Sequence, residues 1–376
     1  MKKYFIIFIC SLMIIPMFPV VGTAKEDKEP VRCTLLMEAS TGTVLSESNG
    51  YQRVPQGTMT KLMTILLAAE EISEGKLSSD TVITAGAESE NRKGAVVWIK
   101  AGESITVDEL LKAVIIGNAN DASVVIAEEI GRDEQGFVDM MNARAFELGM
   151  RDTVFTNCDG FDENGQYSTA YDIALLCREL LKHEFLYGYM STWMDKIREG
   201  QTEIVNENRL VRSYKGLIGI KASHSDLSGY SAALAASRDG RTYISVVLGC
   251  TDKDERFSLG RELLSAGFAS YRVTTPSFAG EFLKPLSVKG GTGTAVEVEA
   301  ETLEGLVVPK NSKEPETVVV LPAYITAPVK KGQIVGKAGF YNGDTLIYET
   351  NLVATESIDA MSFGYAAKKF LYIMLK

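Results

Sequence analysis

The feature that most constrains the fold of this chain is a helix-rich block enclosed by strand-like segments. At one end, residues 33–49 (CTLLMEASTGTVLSESN) have the pattern of two short strands around a Thr-Gly turn. At the other end, residues 231–250 have the pattern of a β-hairpin on an Asp-Gly turn. Such distant segments share one sheet only if the chain returns to its start. The sequence therefore predicts an α+β domain whose antiparallel sheet is assembled from both ends.

The enclosed block shows the apolar periodicity of helices. Between residues 107 and 115 the apolar positions are three and four apart: Val107, Leu110, Leu111, Val114 and Ile115. Gly149 stands where one helix would end, because glycine readily adopts the left-handed conformation that closes helices. The predicted helices cover residues 60–73, 107–115, 120–130, 134–148, 169–183 and 255–269.

The composition changes near residues 274–276, where short β-like runs broken by Gly, Pro and Asn begin. We predict a small all-β domain over residues 276–355, which leaves residues 25–275 for the first domain. The remaining segment, residues 356–376, has the pattern of an amphipathic helix.

One face of this C-terminal helix would be mostly apolar, with three lysines nearby: Phe363, Ala366, Ala367, Phe370 and Met374, and then Lys368, Lys369 and Lys376. The segment is too short and too interrupted to span a bilayer, but it could lie on a membrane surface. A terminal helix packed on its own domain is the alternative. We favour the membrane surface.

Residues 1–24 have the organisation of a signal peptide. Lys2 and Lys3 precede an almost unbroken apolar run over residues 5–21, and Ala24 suits a signal-peptidase cut. The alternative is an uncleaved anchor, since the apolar run is nearly long enough to cross a bilayer. Either form predicts an exported protein.

Charge and composition exclude several classes of function. The formal net charge is −10, and cleavage after Ala24 would remove two lysines, so an interaction with nucleic acid is not expected. Beyond the signal segment the cysteines are scattered, with no CxxC pair: Cys33, Cys158, Cys177 and Cys250. With only His183 and His224 in the chain, we predict no metal and no cofactor. Buried free thiols are favoured over one or two disulfides.

Thr58 and Lys61 stand three positions apart at the start of a predicted helix, within the stretch PQGTMTKLMT. This spacing puts a hydroxyl and an amine on one face of the first turn. The pair differs by one residue type from a serine nucleophile activated by a lysine. Taken alone, a threonine N-cap followed by a solvated lysine is the simpler interpretation.

Four segments in order give the pair a context: MEASTGTVLSESN, PQGTMTKLMTILLAAEE, VDELLKAVIIGNANDASVVIAEEI and GLIGIKASHSDLSGYSAALAASRDGR. Together they resemble the serine-type D-alanyl-D-alanine carboxypeptidases, the low-molecular-mass penicillin-binding proteins, from about residue 30 to residue 355. The resemblance implies a penicillin-binding/β-lactamase-like transpeptidase domain, followed by the small all-β domain and the amphipathic helix. It also implies a location at the outer face of the cytoplasmic membrane or in the cell wall.

The three motifs of that family, S-x-x-K, S-x-N and K-T-G, are each present in altered form. They read Thr58-Met59-Thr60-Lys61, Asn118-Ala119-Asn120 and Lys221-Ala222-Ser223. By resemblance, the catalytic positions are Thr58, Lys61 and Asn118. The positions that would border the substrate are Asn120, Lys221, Ala222, Ser223 and His224.

The replaced side chains are those that would react with or hold the substrate. Thr58 keeps a hydroxyl, but its extra methyl stiffens χ1. Asn118 cannot relay a proton to a leaving amine, because an amide does not exchange its own proton in that way at neutral pH. Ala222 lacks the hydroxyl that would hold a terminal carboxylate. Ser223 adds a Cβ where glycine lets the strand approach the bound chain closely.

Other parts of the machinery are retained. Asn120 can still hold a substrate backbone, and Lys61 could act as a base if burial and the neighbouring Lys221 lower its pKa towards neutrality. By resemblance, the backbone N–H groups of Thr58 and His224 would form an oxyanion hole, and side-chain replacement leaves these donors in place.

These observations leave three hypotheses for function. The first is an active carboxypeptidase that removes the terminal D-Ala from peptidoglycan stem peptides through an acyl-enzyme on Thr58, and that binds β-lactams if this nucleophile reacts. The second is a non-catalytic relative that binds peptidoglycan or acts as a scaffold. A third and weaker hypothesis is an esterase or a β-lactamase-like hydrolase. We favour strongly reduced or absent turnover, because the changes affect all three motifs.

Overall fold

The computed structural model describes residues 31–161, 165–275, 283–301 and 305–375. The predicted signal peptide therefore lies outside the described residues, as does the predicted domain boundary at residue 276. The secondary structure follows the predicted order closely.

The first domain is built on an antiparallel sheet from both of its ends, as predicted. Its strands are β1 (Cys33–Glu38), β2 (Val44–Ser48), β3 (Val82–Thr84), β4 (Ser104–Thr106), β5 (Met194–Ile197), β6 (Thr202–Val205), β7 (Leu217–Ser225), β8 (Gly229–Arg238) and β9 (Arg241–Cys250). The main sheet has the order β2-β1-β9-β8-β7, which leaves β7 at one edge. Asp239 and Gly240 form the predicted turn between β8 and β9, both with positive φ (51° and 74°).

The helices of this domain are α1 (Lys61–Ser73), α2 (Ala87–Glu90), α3 (Val107–Ile115), α4 (Asn120–Gly131), α5 (Glu134–Glu147), α6 (Ala170–Leu180), α7 (Leu186–Ser191) and α8 (Glu255–Ser270). Six of them confirm the predicted helices, with α6 ending three residues early, whereas α2 and α7 were not predicted. A capping box between Thr106 and Glu109 fixes the start of α3, because each side chain bonds the backbone N–H of the other.

The two faces of the sheet carry separate cores. The larger core packs the helical block against one face, and α8 covers the other face, where its Phe268 packs with Leu234 and Tyr243 of the sheet. Helix α1 is central to the larger core, since every residue from Lys61 to Ala69 is buried. Because Lys61 is 0% exposed, the interpretation of this motif as a helix cap with a solvated lysine is wrong.

A small all-β domain follows, as predicted. Its strands, with the linking β10, are β10 (Tyr271–Thr274), β11 (Leu286–Lys289), β12 (Ala295–Val296), β13 (Val298–Ala300), β14 (Leu306–Pro309), β15 (Glu316–Val320), β16 (Ile325–Thr326), β17 (Ile334–Asn342) and β18 (Thr345–Ala354). The largest sheet has the order β13-β18-β17-β15, and β10 pairs with β14. Its core is formed by small and branched residues such as Val296, Ala338 and Leu352.

The predicted C-terminal helix is present as α9 (Phe363–Met374). Its apolar residues remain open to solvent: Phe363 is 91% exposed, Phe370 64% and Met374 70%. In the described part of the chain, no helix is both long and apolar enough to cross a membrane. A position of α9 on a membrane surface stays a prediction.

Candidate active site

Thr58 lies in a 3₁₀ turn (Gly57–Thr60) that leads directly into α1. A loop packs against this turn so closely that a Cβ on Gly160 would lie 2.2 Å from the carbonyl oxygen of Gly57 and 2.6 Å from Cα of Thr58. The φ of Gly160 is +77°, so both its conformation and its surroundings require glycine. The backbone around Thr58 is therefore fixed on two sides, by α1 and by this loop.

The hydroxyl of Thr58 is held by its two neighbours. Its Oγ1 atom lies 2.8 Å from Ser223 Oγ, in a bond where either hydroxyl can donate, and Asn118 Nδ2 donates to it at 3.5 Å. Thr58 is only 9% exposed and Ser223 is fully buried. The predicted nucleophile thus contacts a side chain that the K-T-G motif does not have.

Lys61 is a buried cation with two oxygen acceptors. Its Nζ donates to Asn120 Oδ1 at 2.6 Å and to the backbone oxygen of Asp159 at 2.5 Å. Burial lowers the pKa of the Lys61 ammonium to about 8, although the nearby acidic side chains of Asp159 and Asp121 raise it. Within the described residues, no hydrogen bond joins Lys61 to the hydroxyl of Thr58.

The second motif occupies the turn between α3 and α4. Asn118 adopts the left-handed conformation (φ 56°), and its buried Oδ1 has no hydrogen-bond partner within the described residues. Asn120, the first residue of α4, accepts from Lys61 and donates through Nδ2 to the backbone oxygen of Lys93 at 2.6 Å. The structure therefore places Asn118 beside the Thr58 hydroxyl and Asn120 beside the Lys61 ammonium.

The third motif lies on the edge strand β7, whose side chains alternate between the two faces of the sheet. Lys221 and Ser223 face the helical block, whereas the side chain of Ala222 packs in the core under α8. Burial and the nearby Lys61 charge lower the pKa of Lys221 to about 7, and Glu207 acts against them. His224 is exposed, and its ring stacks on Tyr230 with centroids 4.1 Å apart. The site residues predicted from the motifs are thus brought together, except for the side chain of Ala222, which packs under α8, and that of His224, which stacks on Tyr230.

Several residues at this site were not predicted. Asp159 supplies a backbone acceptor for Lys61, Gly160 allows the close approach to Thr58, and Lys93 orients Asn120. The one sequence signal for Asp159 and Gly160 was the stretch NCDG over residues 157–160, which has the composition of a tight turn. Which part of the chain this turn would contact was not visible in the sequence.

Metal ligands and disulfides do not contribute to the described site. Cys33, Cys158, Cys177 and Cys250 are free and buried, as favoured from the sequence, and burial raises the pKa of Cys33 to about 11. Across residues 31–161, 165–275, 283–301 and 305–375, no group of three or more His, Cys, Asp or Glu side chains is placed to hold a metal ion. The reactive groups of the cleft are hydroxyls, amides and two lysines.

Comparison with known proteins gives this arrangement a family. The sequence profile described as "D-alanyl-D-alanine carboxypeptidase" matches residues 22–252, more than half of the chain. The profile of the C-terminal domain of penicillin-binding protein 5 matches residues 271–360. The chain therefore belongs to the D-alanyl-D-alanine carboxypeptidase family, whose members act on peptidoglycan.

Individual relatives extend over nearly the full length. The D-alanyl-D-alanine carboxypeptidase DacF of Bacillus subtilis (strain 168) is 28% identical over 374 residues, covering 96% of each chain. The crystal structure of penicillin binding protein 5 from Haemophilus influenzae is similar with a TM-score of 0.81 and 25% identity, covering 87% of this chain and 97% of that chain. Penicillin-binding protein D2 from Listeria monocytogenes in its ampicillin-bound form is 27% identical, with a TM-score of 0.58 over 63% of this chain and 96% of that chain. The predicted family and fold class are confirmed.

Proposed function

We propose that this chain is an exported protein that binds the stem peptides of peptidoglycan in the cleft beside Thr58, and that its release of D-Ala is strongly reduced or absent. The family and the ligand class of its relatives support the first half of the proposal. The altered motifs support the second half. The chain would act at the outer face of the cytoplasmic membrane or in the cell wall.

The contact between Ser223 and Thr58 supports the loss of turnover most directly. An attacking oxygen must face the carbonyl carbon of the substrate, with a base ready to take its proton. Here the Thr58 oxygen faces another hydroxyl at 2.8 Å, in the space that glycine leaves open in the K-T-G motif. Lys61, the candidate base, donates instead to Asn120 and to the backbone of Asp159. The hydroxyl of the predicted nucleophile and the amine of its candidate base are therefore both hydrogen-bonded to other groups of the protein.

A second candidate function is slow acyl transfer through Thr58. The lowered pKa values of Lys61 (about 8) and Lys221 (about 7) favour it, because a lysine acts as a base only when it is partly neutral. A rotation of Thr58 χ1 away from Ser223 would be needed before attack. We place this function second because the hydrogen bond between Thr58 and Ser223 would have to break before the reaction could begin.

We expect the unaltered chain to release no more D-Ala from a synthetic pentapeptide ending in D-Ala-D-Ala than a Thr58→Ala variant does. We also expect both proteins to bind the pentapeptide with dissociation constants within about twofold, because the lost hydroxyl is bonded to Ser223 rather than free for a ligand. Chromatographic detection of D-Ala and isothermal titration calorimetry measure the two quantities.

Two results would contradict this expectation in different ways. D-Ala release that disappears in Thr58→Ala would replace the proposal with the second candidate function. An absence of binding of this pentapeptide and of its C-terminal amide by either folded protein would remove the proposed ligand class. Circular dichroism of each protein before the titration provides the control for folding.

We further propose that α9 lies on a membrane surface, as its exposed apolar side chains suggest. The chain from residue 25 onward should sediment with anionic lipid vesicles, and Phe363→Asp together with Phe370→Asp should abolish this binding. Val318→Asp, which alters an exposed apolar residue of β15, is the matched control. Equal sedimentation of the three proteins would rule out α9 as the contact.

A further inference from the structure

A charged pair, Arg256 and Glu207, lies immediately behind the edge strand of the cleft. Arg256, the second residue of α8, is 3% exposed, and its Nη1 donates to the backbone oxygen of Ser223 at 2.6 Å and of Ser231 at 3.3 Å. Its Nη2 donates to Glu207 Oε1 at 2.6 Å. The rings of Tyr230 and Phe257 flank the guanidinium, with centroids 5.2 and 4.6 Å from its central carbon. Arg256 therefore links the strand that carries Ser223 to a carboxylate.

Glu207 is held in place by the turn on which it stands, between β6 and the 3₁₀ turn Arg209–Arg212. The side chain of Asn206 donates to the backbone oxygen of Thr192 at 3.0 Å and accepts from the backbone N–H of Asn208 at 2.9 Å. Asn206 and Asn208 are both buried, whereas the side chain of Glu207 is 36% exposed. The carboxylate is thus fixed by its neighbours and still open to a ligand.

The charge of Glu207 acts on the same end of the cleft as Lys221. It raises the pKa of Lys221, against the burial and the Lys61 charge that lower it. It also neutralises Arg256, the other cation that reaches this strand. The neighbouring Ala222 offers no hydroxyl for an anion. A ligand carboxylate at the Ser223 end of β7 would therefore face the exposed carboxylate of Glu207, with Arg256 already paired to it and Lys221 buried.

We propose that Glu207 determines the specificity of this cleft, and that the preferred stem peptide presents an uncharged group at the Ser223 end of β7, such as a C-terminal amide or the peptide bond of a cross-link, rather than a free terminal carboxylate. This inference rests on the proposed function, because it concerns the same ligand class in the same cleft. Beyond the proposed function, the inference names the chemical form of the ligand and the residue that selects this form.

The test compares two synthetic stem pentapeptides that differ only at the C-terminus, one ending in D-Ala-D-Ala with a free acid and the other with an amide. Isothermal titration calorimetry should show that the unaltered chain binds the amide roughly tenfold more tightly, as expected for a like charge at a partly buried site. In Glu207→Gln the preference should fall to about twofold or less, because the amide oxygen still accepts from Arg256 while the charge is gone. Glu203→Gln, an exposed acidic residue of β6, should keep the original ratio.

The possible outcomes separate this inference from the proposed function. Tighter binding of the free acid by the unaltered chain, or an equal preference before and after Glu207→Gln, would overturn the role of Glu207 and leave the proposed function intact. Binding of neither peptide by any variant would overturn both. If Glu207→Gln fails to fold, the amide preference of the unaltered chain tests the inference instead. This preference should shrink as salt rises from about 0.05 to about 0.5 M, because salt screens the repulsion.

Discussion

A chain that carries Thr58→Ser and Ser223→Gly together is expected to form a covalent adduct with benzylpenicillin at least about 100-fold faster than the unaltered chain. The double change removes the hydroxyl that lies 2.8 Å from the Thr58 oxygen and the methyl that restricts χ1. It leaves both buried lysines and the backbone N–H donors of the turn in place. Backbone donors of an oxyanion hole contribute on the order of 10² to 10³ in rate when their geometry is intact, so the rebuilt site has the means to react. Intact-mass spectrometry over a time course measures the adduct.

Further variants identify which change matters. Thr58→Ser alone should form the adduct little faster than the unaltered chain, because Ser223 would still bond the new hydroxyl. Adding Lys61→Ala to the double variant should abolish the adduct, since no base would remain beside the serine. An adduct of equal rate in the unaltered chain and the double variant would show that Ser223 does not block the site. The Asn118 amide remains in every variant, so a gain would also show that this position is not decisive for acylation.

Most of the fold could be predicted because local patterns determine it. The periodicity of residues 107–115 and the Asp239-Gly240 turn specify α3 and the β8–β9 hairpin without reference to distant parts of the chain. The pairing of β9 with β1 could also be predicted in outline, because strands at both ends of the helical block need partners. The short strand pairs β3–β4 and β5–β6 were not predicted, since strands of three or four residues carry too little alternation to be recognised.

The site could be predicted only as a set of positions. The motifs indicated that Thr58, Asn118 and Ser223 would meet, but the direction of each side chain depends on strand register and on backbone conformation. The positive φ of Asn118, and which face of β7 meets the helical block, are products of tertiary structure. The Arg256–Glu207 pair joins segments 49 residues apart, and no sequence pattern marks it.

Lys221→Met is expected to raise the free energy of unfolding at pH 7 by roughly 3 kcal/mol. Lys221 is 2% exposed, and its one acceptor among the described residues is the backbone oxygen of Val114 at 3.5 Å. Its pKa is lowered from 10.5 to about 7, because the folded state disfavours the charge that the unfolded chain carries freely. An apolar side chain of similar length removes this cost while filling the same space. Chemical denaturation at pH 7 measures the difference, and Lys215→Met, at an exposed position, should change it by less than about 0.5 kcal/mol.

The dependence on pH distinguishes the lost charge from improved packing. Between about pH 7 and 10.5 the unfolded chain holds a proton on Lys221 that the folded chain has released, so rising pH stabilises the unaltered chain by up to about 1.4 kcal/mol per unit from this group. The variant lacks this gain, and its advantage should therefore shrink steadily towards pH 10. Cys33, whose pKa burial raises to about 11, acts in the opposite sense above pH 9, but it is present in both proteins and cancels in their difference. A gap that stays constant from pH 7 to 10 would mean that Lys221 remains charged in the folded chain. Partial neutrality of Lys221 at pH 7 would instead show that this site still lowers the pKa of a lysine, although the motif side chains around it have been replaced.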